Sequence, residues 1–103
     1  MKVSGYYSNP NNQTGSGYGF RISKKDRYRF FKEAWTSVIL ELDTGEVFEV
    51  RVTPSFWRQC PELRDSRIGK WMLNLGLAPW PSGKPPRLTL EPRENRRFYL
   101  SRT

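Results

Sequence analysis

Basic side chains threaded between aromatic ones are the part of this sequence best equipped for chemistry, and that chemistry is recognition of a polyanion. Residues 21–32, RISKKDRYRFFK, carry Arg21, Lys24, Lys25, Arg27, Arg29 and Lys32 around Tyr28, Phe30 and Phe31. A guanidinium matches phosphate oxygens two at a time and stacks on flat rings, so arginine among aromatics suits nucleic acid better than diffuse lysine does. A second set follows late in the chain. Trp80, Lys84 and Arg87 lie in the proline-stiffened stretch LAPWPSGKPPR, and Arg93, Arg96 and Arg97 in PRENRR. Tyr18, Tyr28 and Trp80 are the candidate stacking surfaces.

The charge is unevenly spread. Twelve of the eighteen basic residues are arginine, and the net charge is +8. Residues 1–32 hold seven bases and one acid, and residues 51–103 hold eleven bases and four acids. Between them, residues 33–50 hold five acids and no base. An acidic scaffold with basic flanks favours a phosphate-bearing partner, although a solvated basic surface also fits that composition.

Other chemistry has little to work with. With no histidine and one cysteine, Ser-His and Cys-His nucleophiles, histidine metal sites and a zinc site are all out of reach. Cys60 reads as a small structural hydrophobe. Glu41 and Glu49 share one face of a strand pair and could hold a metal or move a proton, but alternating glutamates on an outer face are ordinary solvation. The glycines at 15, 17 and 19 miss the GxGxxG spacing, so no cofactor is expected. No 18-residue apolar run and no signal-peptide core are visible, and the single cysteine fits a reducing compartment, so the expected location is cytoplasmic and off the membrane.

The elements that must position these groups are legible in part. Residues 36–52, TSVILELDTGEVFEVRV, read as a β-hairpin turning at 43–45, where Gly45 can take the positive φ of a short loop. Pairing Leu40 with Phe48 and Val38 with Val50 puts Val38, Leu40, Phe48, Val50 and Val52 on one face, with Glu41, Glu49 and Arg51 on the other. Tyr18 to Ile22 is a first strand with Tyr18, Phe20 and Ile22 inward. Ser23 caps a basic helix in which Tyr28, Phe31 and Trp35 have core-like spacing and Lys24, Lys25, Arg27, Arg29 and Lys32 face solvent.

Thr53-Pro54 starts a short helical turn that buries Phe56 and Trp57. The main helix runs from about 66 to 75, capped by Asp65 or Ser66, with Ile68, Trp71, Met72 and Leu75 inward and Gly76 ending it. Residues 88–91 and 97–101 are closing strands. Residues 1–17, rich in Ser, Gly, Asn and Tyr, read as a flexible tail ahead of one domain at 18–103. The fold class is therefore α+β: a small, mainly antiparallel sheet or open pseudobarrel with one main helix and one or two short ones.

In order of elements, and in the segment GFRISKKDRYRFF, the chain is similar to the B3 and AbrB-like DNA-binding pseudobarrels. That resemblance implies duplex DNA bound through basic arms around a barrel edge, without catalysis. No RNP1 motif speaks for an RRM, and no second helix is spaced for a helix-turn-helix. The leading expectation is a non-catalytic nucleic-acid-binding domain, DNA before RNA. The alternative is a protein-interaction module, an inhibitor or accessory subunit, using the Trp/Pro-rich surface. The sequence is silent on oligomeric state.

Overall fold

The hairpin forms in the expected register. In a computed structural model of the chain, which describes residues 1–8 and 13–103, β3 (Ser37–Leu42) pairs with β4 (Val47–Arg51) through Val38 opposite Val50 and Leu40 opposite Phe48. Gly45 turns it at φ +95°, and its N–H donates to the Leu42 carbonyl at 2.9 Å. Val38, Leu40, Phe48, Val50 and Val52 are buried, while Glu49 and Arg51 are exposed. A slip of one residue would exchange these faces, and burial of the apolar set decides against it.

Before the hairpin come β1 (Lys2–Tyr7), β2 (Tyr18–Arg21) and α1 (Lys24–Phe30). After it come α2 (Pro54–Arg58), β5 (Glu62–Arg64), α3 (Ser66–Asn74), β6 (Arg87–Pro92) and β7 (Arg97–Arg102). The seven strands form one sheet in the order β4-β3-β7-β6-β1-β2-β5. Every pairing is antiparallel except β3 with β7. The two ends of that order, β4 and β5, approach within 8 Å between Cα atoms, so the sheet is a nearly closed barrel. The chain is a small α+β domain with one main helix and two short ones.

The barrel is filled by the alternating inward residues of its strands. Tyr18, Phe20, Leu40, Leu42, Leu88, Leu90, Phe98 and Leu100 are all nine-tenths or more buried. Each such side chain contributes roughly 1.5–3 kcal/mol by leaving water. Phe31, just past α1, stacks on Phe98 with ring centres 4.6 Å apart and planes 11° from parallel. Helix α3 packs on β2 and reaches across to the β3–β4 hairpin. Its N-cap is Asp65, whose side chain accepts from the Arg67 N–H at 2.8 Å, and Gly76 beyond it takes φ +73°. Ile68, Trp71 and Met72 are buried, and the Trp71 indole donates to Asp43 in the hairpin turn at 2.8 Å.

The N-terminal segment is a correction. The expected tail at 1–17 contains β1, an interior strand of the sheet paired on one side with β2 and on the other with β6. Its inward positions are Val3, Gly5 and Tyr7, and Gly5 hides the pattern because its core volume is supplied by other residues. A Cβ on Gly5 would stand 2.8 Å from Pro86 and 3.2 Å from Trp80. Further on, the Ser8 N–H donates to the Gly17 carbonyl, and Gly15 rests on α3, where a Cβ at Gly69 would meet the Gly15 oxygen at 2.3 Å. Residues 9–12, also within the expected tail, lie outside the described residues. A second correction is Cys60, which is a free, exposed thiol and not part of the core. Strand β5 is an addition that the broken stretch before Asp65 concealed.

Candidate nucleic-acid interface

Helix α1 begins as the sequence implies: the Ser23 hydroxyl accepts from the Asp26 N–H at 3.1 Å, and the acid sits in the first turn where the helix dipole favours it. The helix is rotated from the expected frame, however. Tyr28 is 67% exposed, and Arg27 is 4% exposed. Arg27 turns inward because α2 ends nearby with carbonyls that its own helix cannot satisfy. The Arg27 guanidinium donates through Nη1 to the Phe56 oxygen at 2.8 Å and the Trp57 oxygen at 3.1 Å. It also lies 4.8 Å from the Tyr28 ring centre and 5.5 Å from that of Trp57. Arg27 is therefore a strut between two helices and is withdrawn from the set of phosphate ligands.

The rest of the basic segment is open. Lys24, Lys25, Arg29 and Lys32 are exposed, and among the described residues none has a carboxylate within 4 Å. Tyr28, on the same helix as the first three, has its ring centre 6.0 Å from that of half-buried Trp57. Behind this corner, an open cleft of about 440 Å³ is lined by Trp35, Trp57, Arg51, Arg58 and Glu33. One corner thus combines unpaired cations, an exposed phenol and an indole flank.

The late arginines are placed differently. Arg96, in the β6–β7 turn at φ +54°, donates through Nη1 to the Ser37 oxygens at 2.9 and 3.2 Å and lies 3.6 Å from the Glu49 carboxylate. Arg97 stands 4.0 Å from Glu41, and Arg93 stands 3.7 Å from Glu91. The Ser37 hydroxyl donates to Glu49, which with Arg96 holds that carboxyl below its usual range. The acidic outer face of the hairpin is thus occupied by the chain's own arginines, brought there by the parallel β3–β7 pairing. That pairing joins segments far apart in sequence, and no local pattern announces it.

Three of the remaining expected binding residues are exposed: Arg21, Lys84 and Arg87. Trp80 is only half buried, but its ring packs on Tyr7 and Tyr18, with centres 4.6 and 5.8 Å away. Tyr18 itself is fully buried, which removes it as a stacking surface. The Trp/Pro loop thus folds back on the barrel. One aromatic within the expected tail segment lies outward on β1. Tyr6 has Arg21 5.0 Å and Arg64 5.6 Å from its ring centre.

Fold and surface together define a barrel-like α+β domain with a basic, aromatic corner at α1. Family models, curated proteins and solved structures give no match to this chain.

Proposed function

We propose that this chain is a non-catalytic nucleic-acid-binding domain, with duplex DNA as the ligand that the B3/AbrB-like resemblance favours. The observation that carries the reading is the contrast between the two basic sets. Arg93, Arg96 and Arg97 already answer to Glu91, Glu49 and Glu41, whereas Lys24, Lys25 and Arg29, on the same short helix as exposed Tyr28, and Lys32 just past it have no carboxylate partner among the described residues. Cations with no partner of their own are free to neutralise phosphates, and the counter-ions released from the nucleic acid drive association. An exposed tyrosine among them adds a flat apolar surface against sugar or base.

The test is a salt titration of binding to labelled duplex DNA, single-stranded DNA and RNA. Replacing Lys24, Lys25, Arg29 and Lys32 together by Gln should weaken binding to every sequence alike. It should also flatten the slope of log K against log salt by about 0.9 for each duplex phosphate that is no longer neutralised. Binding that is unchanged in this variant removes these four residues from the interface, and protein that binds none of the three nucleic acids at low salt overturns the reading in favour of a protein partner. So does binding as strong at about 0.5 M salt as at low salt, since the screening length there falls to roughly 4 Å.

A further inference from the structure

We infer that the outer face of β1, β2 and β5 is a stacking subsite for an unpaired nucleotide, a role that rests on the nucleic-acid reading and narrows it. The register builds the subsite in two rows. In one, Arg87 of β6, Ser4 of β1 and Arg21 of β2 are lateral neighbours, with Glu62 of β5 beyond. In the next, Tyr6 of β1 stands beside Gly19 of β2, and Gly19 beside Arg64 of β5. Strand alternation turns all of these away from the core, because Val3, Phe20, Leu63 and Leu88 between them are buried.

Gly19 keeps the platform flat. No side chain fits there: a Cβ would meet the Leu63 oxygen at 2.0 Å and the Arg64 Cα at 2.8 Å. The Tyr6 ring is partly buried, with the guanidinium groups of Arg21 and Arg64 over it at 5.0 and 5.6 Å from its centre. Glu62 accepts from Arg21 Nε at 2.9 Å and pins that guanidinium in place, while the Arg21 side chain stays 52% exposed. Arg64 and Arg87 are exposed and have no carboxylate within 4 Å among the described residues.

Exposed guanidinium planes held over a ring are flat cationic surfaces suited to stacking one base, with its flanking phosphates on their N–H groups and on Arg87. A base inside a duplex does not present its face, so the ligand is an unpaired one. The subsite also continues the α1 corner, since Arg21 is three residues from Lys24, at most about 11 Å of chain.

The experiment compares a fluorescein-labelled oligothymidylate with a blunt-ended DNA hairpin closed by a non-nucleotide linker, which holds no unpaired base. Tyr6→Ala should weaken oligothymidylate binding about tenfold or more and leave the hairpin's affinity within about twofold, while Tyr6→Phe should bind like the parent. Tyr6→Leu, which keeps apolar bulk without a ring, is measured alongside in case the alanine variant fails to fold, and should show the same weakening. Wild-type protein that binds the hairpin but not oligothymidylate overturns the inference alone. So does unchanged oligothymidylate binding in Tyr6→Ala and Tyr6→Leu, or competition by polyglutamate as effective as by oligothymidylate. Protein that binds neither DNA overturns the nucleic-acid reading as well.

Discussion

Arg27 closes the end of helix α2 by donating to the carbonyl oxygens of Phe56 and Trp57, so a residue that looks like a ligand contact is a structural one. Its charge is compensated by the negative end of a helix and two aromatic faces, with no carboxylate within 4 Å among the described residues. Arg27→Met should therefore orphan one buried and one partly buried carbonyl and cost roughly 2–4 kcal/mol of stability. Chemical denaturation checks this. The quadruple Gln variant of Lys24, Lys25, Arg29 and Lys32 should unfold close to the parent midpoint, and an Arg27→Met protein that does the same would contradict the strut.

The hairpin glutamates are predicted to restrain binding. Glu41→Gln with Glu49→Gln should release Arg97 and Arg96 from their carboxylate partners and tighten DNA binding by up to about fivefold at low salt, the range that exposed ion pairs permit. Anisotropy at two salt concentrations measures it. Binding abolished in this variant would mean that the acidic face is itself a ligand surface.

Gly69 sets helix propensity against packing. In an open helix, Gly→Ala stabilises by about 1 kcal/mol. Here the new methyl would meet the Gly15 backbone, with its oxygen at 2.3 Å and its Cα at 2.5 Å. Overpacking against backbone costs about 1–3 kcal/mol, so Gly69→Ala should lower Tm. A rise in Tm would show that the segment around Gly15 can lift from α3 at little cost.

Asp65 gives stability a dependence on acid. Its hydrogen bonds from the Arg67 side chain, and secondarily from the Arg67 N–H, hold its carboxyl below the ordinary range despite partial burial. The folded state therefore resists protonation more than the unfolded chain does. The resulting stabilisation is fully present above the unfolded value of about 3.9 and disappears as pH falls through the lowered folded value. Asp65→Asn keeps a capping oxygen and removes the charge. Its stability deficit should be constant near neutrality and shrink toward zero as the pH drops below about 4. Urea melts across that window would detect a deficit that fails to shrink.

What the sequence makes legible follows locality. The hairpin and α3 declare themselves because their apolar residues repeat at the period of their own element, and the core residues from Val38 to Val52 and from Ile68 to Met72 lie where that period puts them. Strand β1 is hidden because its middle inward position is Gly5, whose space Pro86 and Trp80 fill from another part of the chain. The frame of α1 is hidden for a related reason. Tyr28 is the more apolar residue, but the demand that turns Arg27 inward comes from α2. The pairing of Arg96 and Arg97 with the hairpin acids depends on the β3–β7 ladder, and Tyr6 becomes a surface feature only once β1 is a strand.

The place of β6 and β7 in the sheet sets the order in which the molecule can be assembled. Without that pair, the remaining strands make two separate pieces, β4 with β3 and β1 with β2 and β5, joined by no ladder. Each piece ends on a strand with one unpaired margin, β3 or β1, and it is the last two strands in sequence that slot between them. During vectorial synthesis both margins must wait for the keystone, exposed to any other extended chain nearby. Closure then forms its longest-range contacts in one late step, which favours slow, all-or-none folding over piecemeal growth.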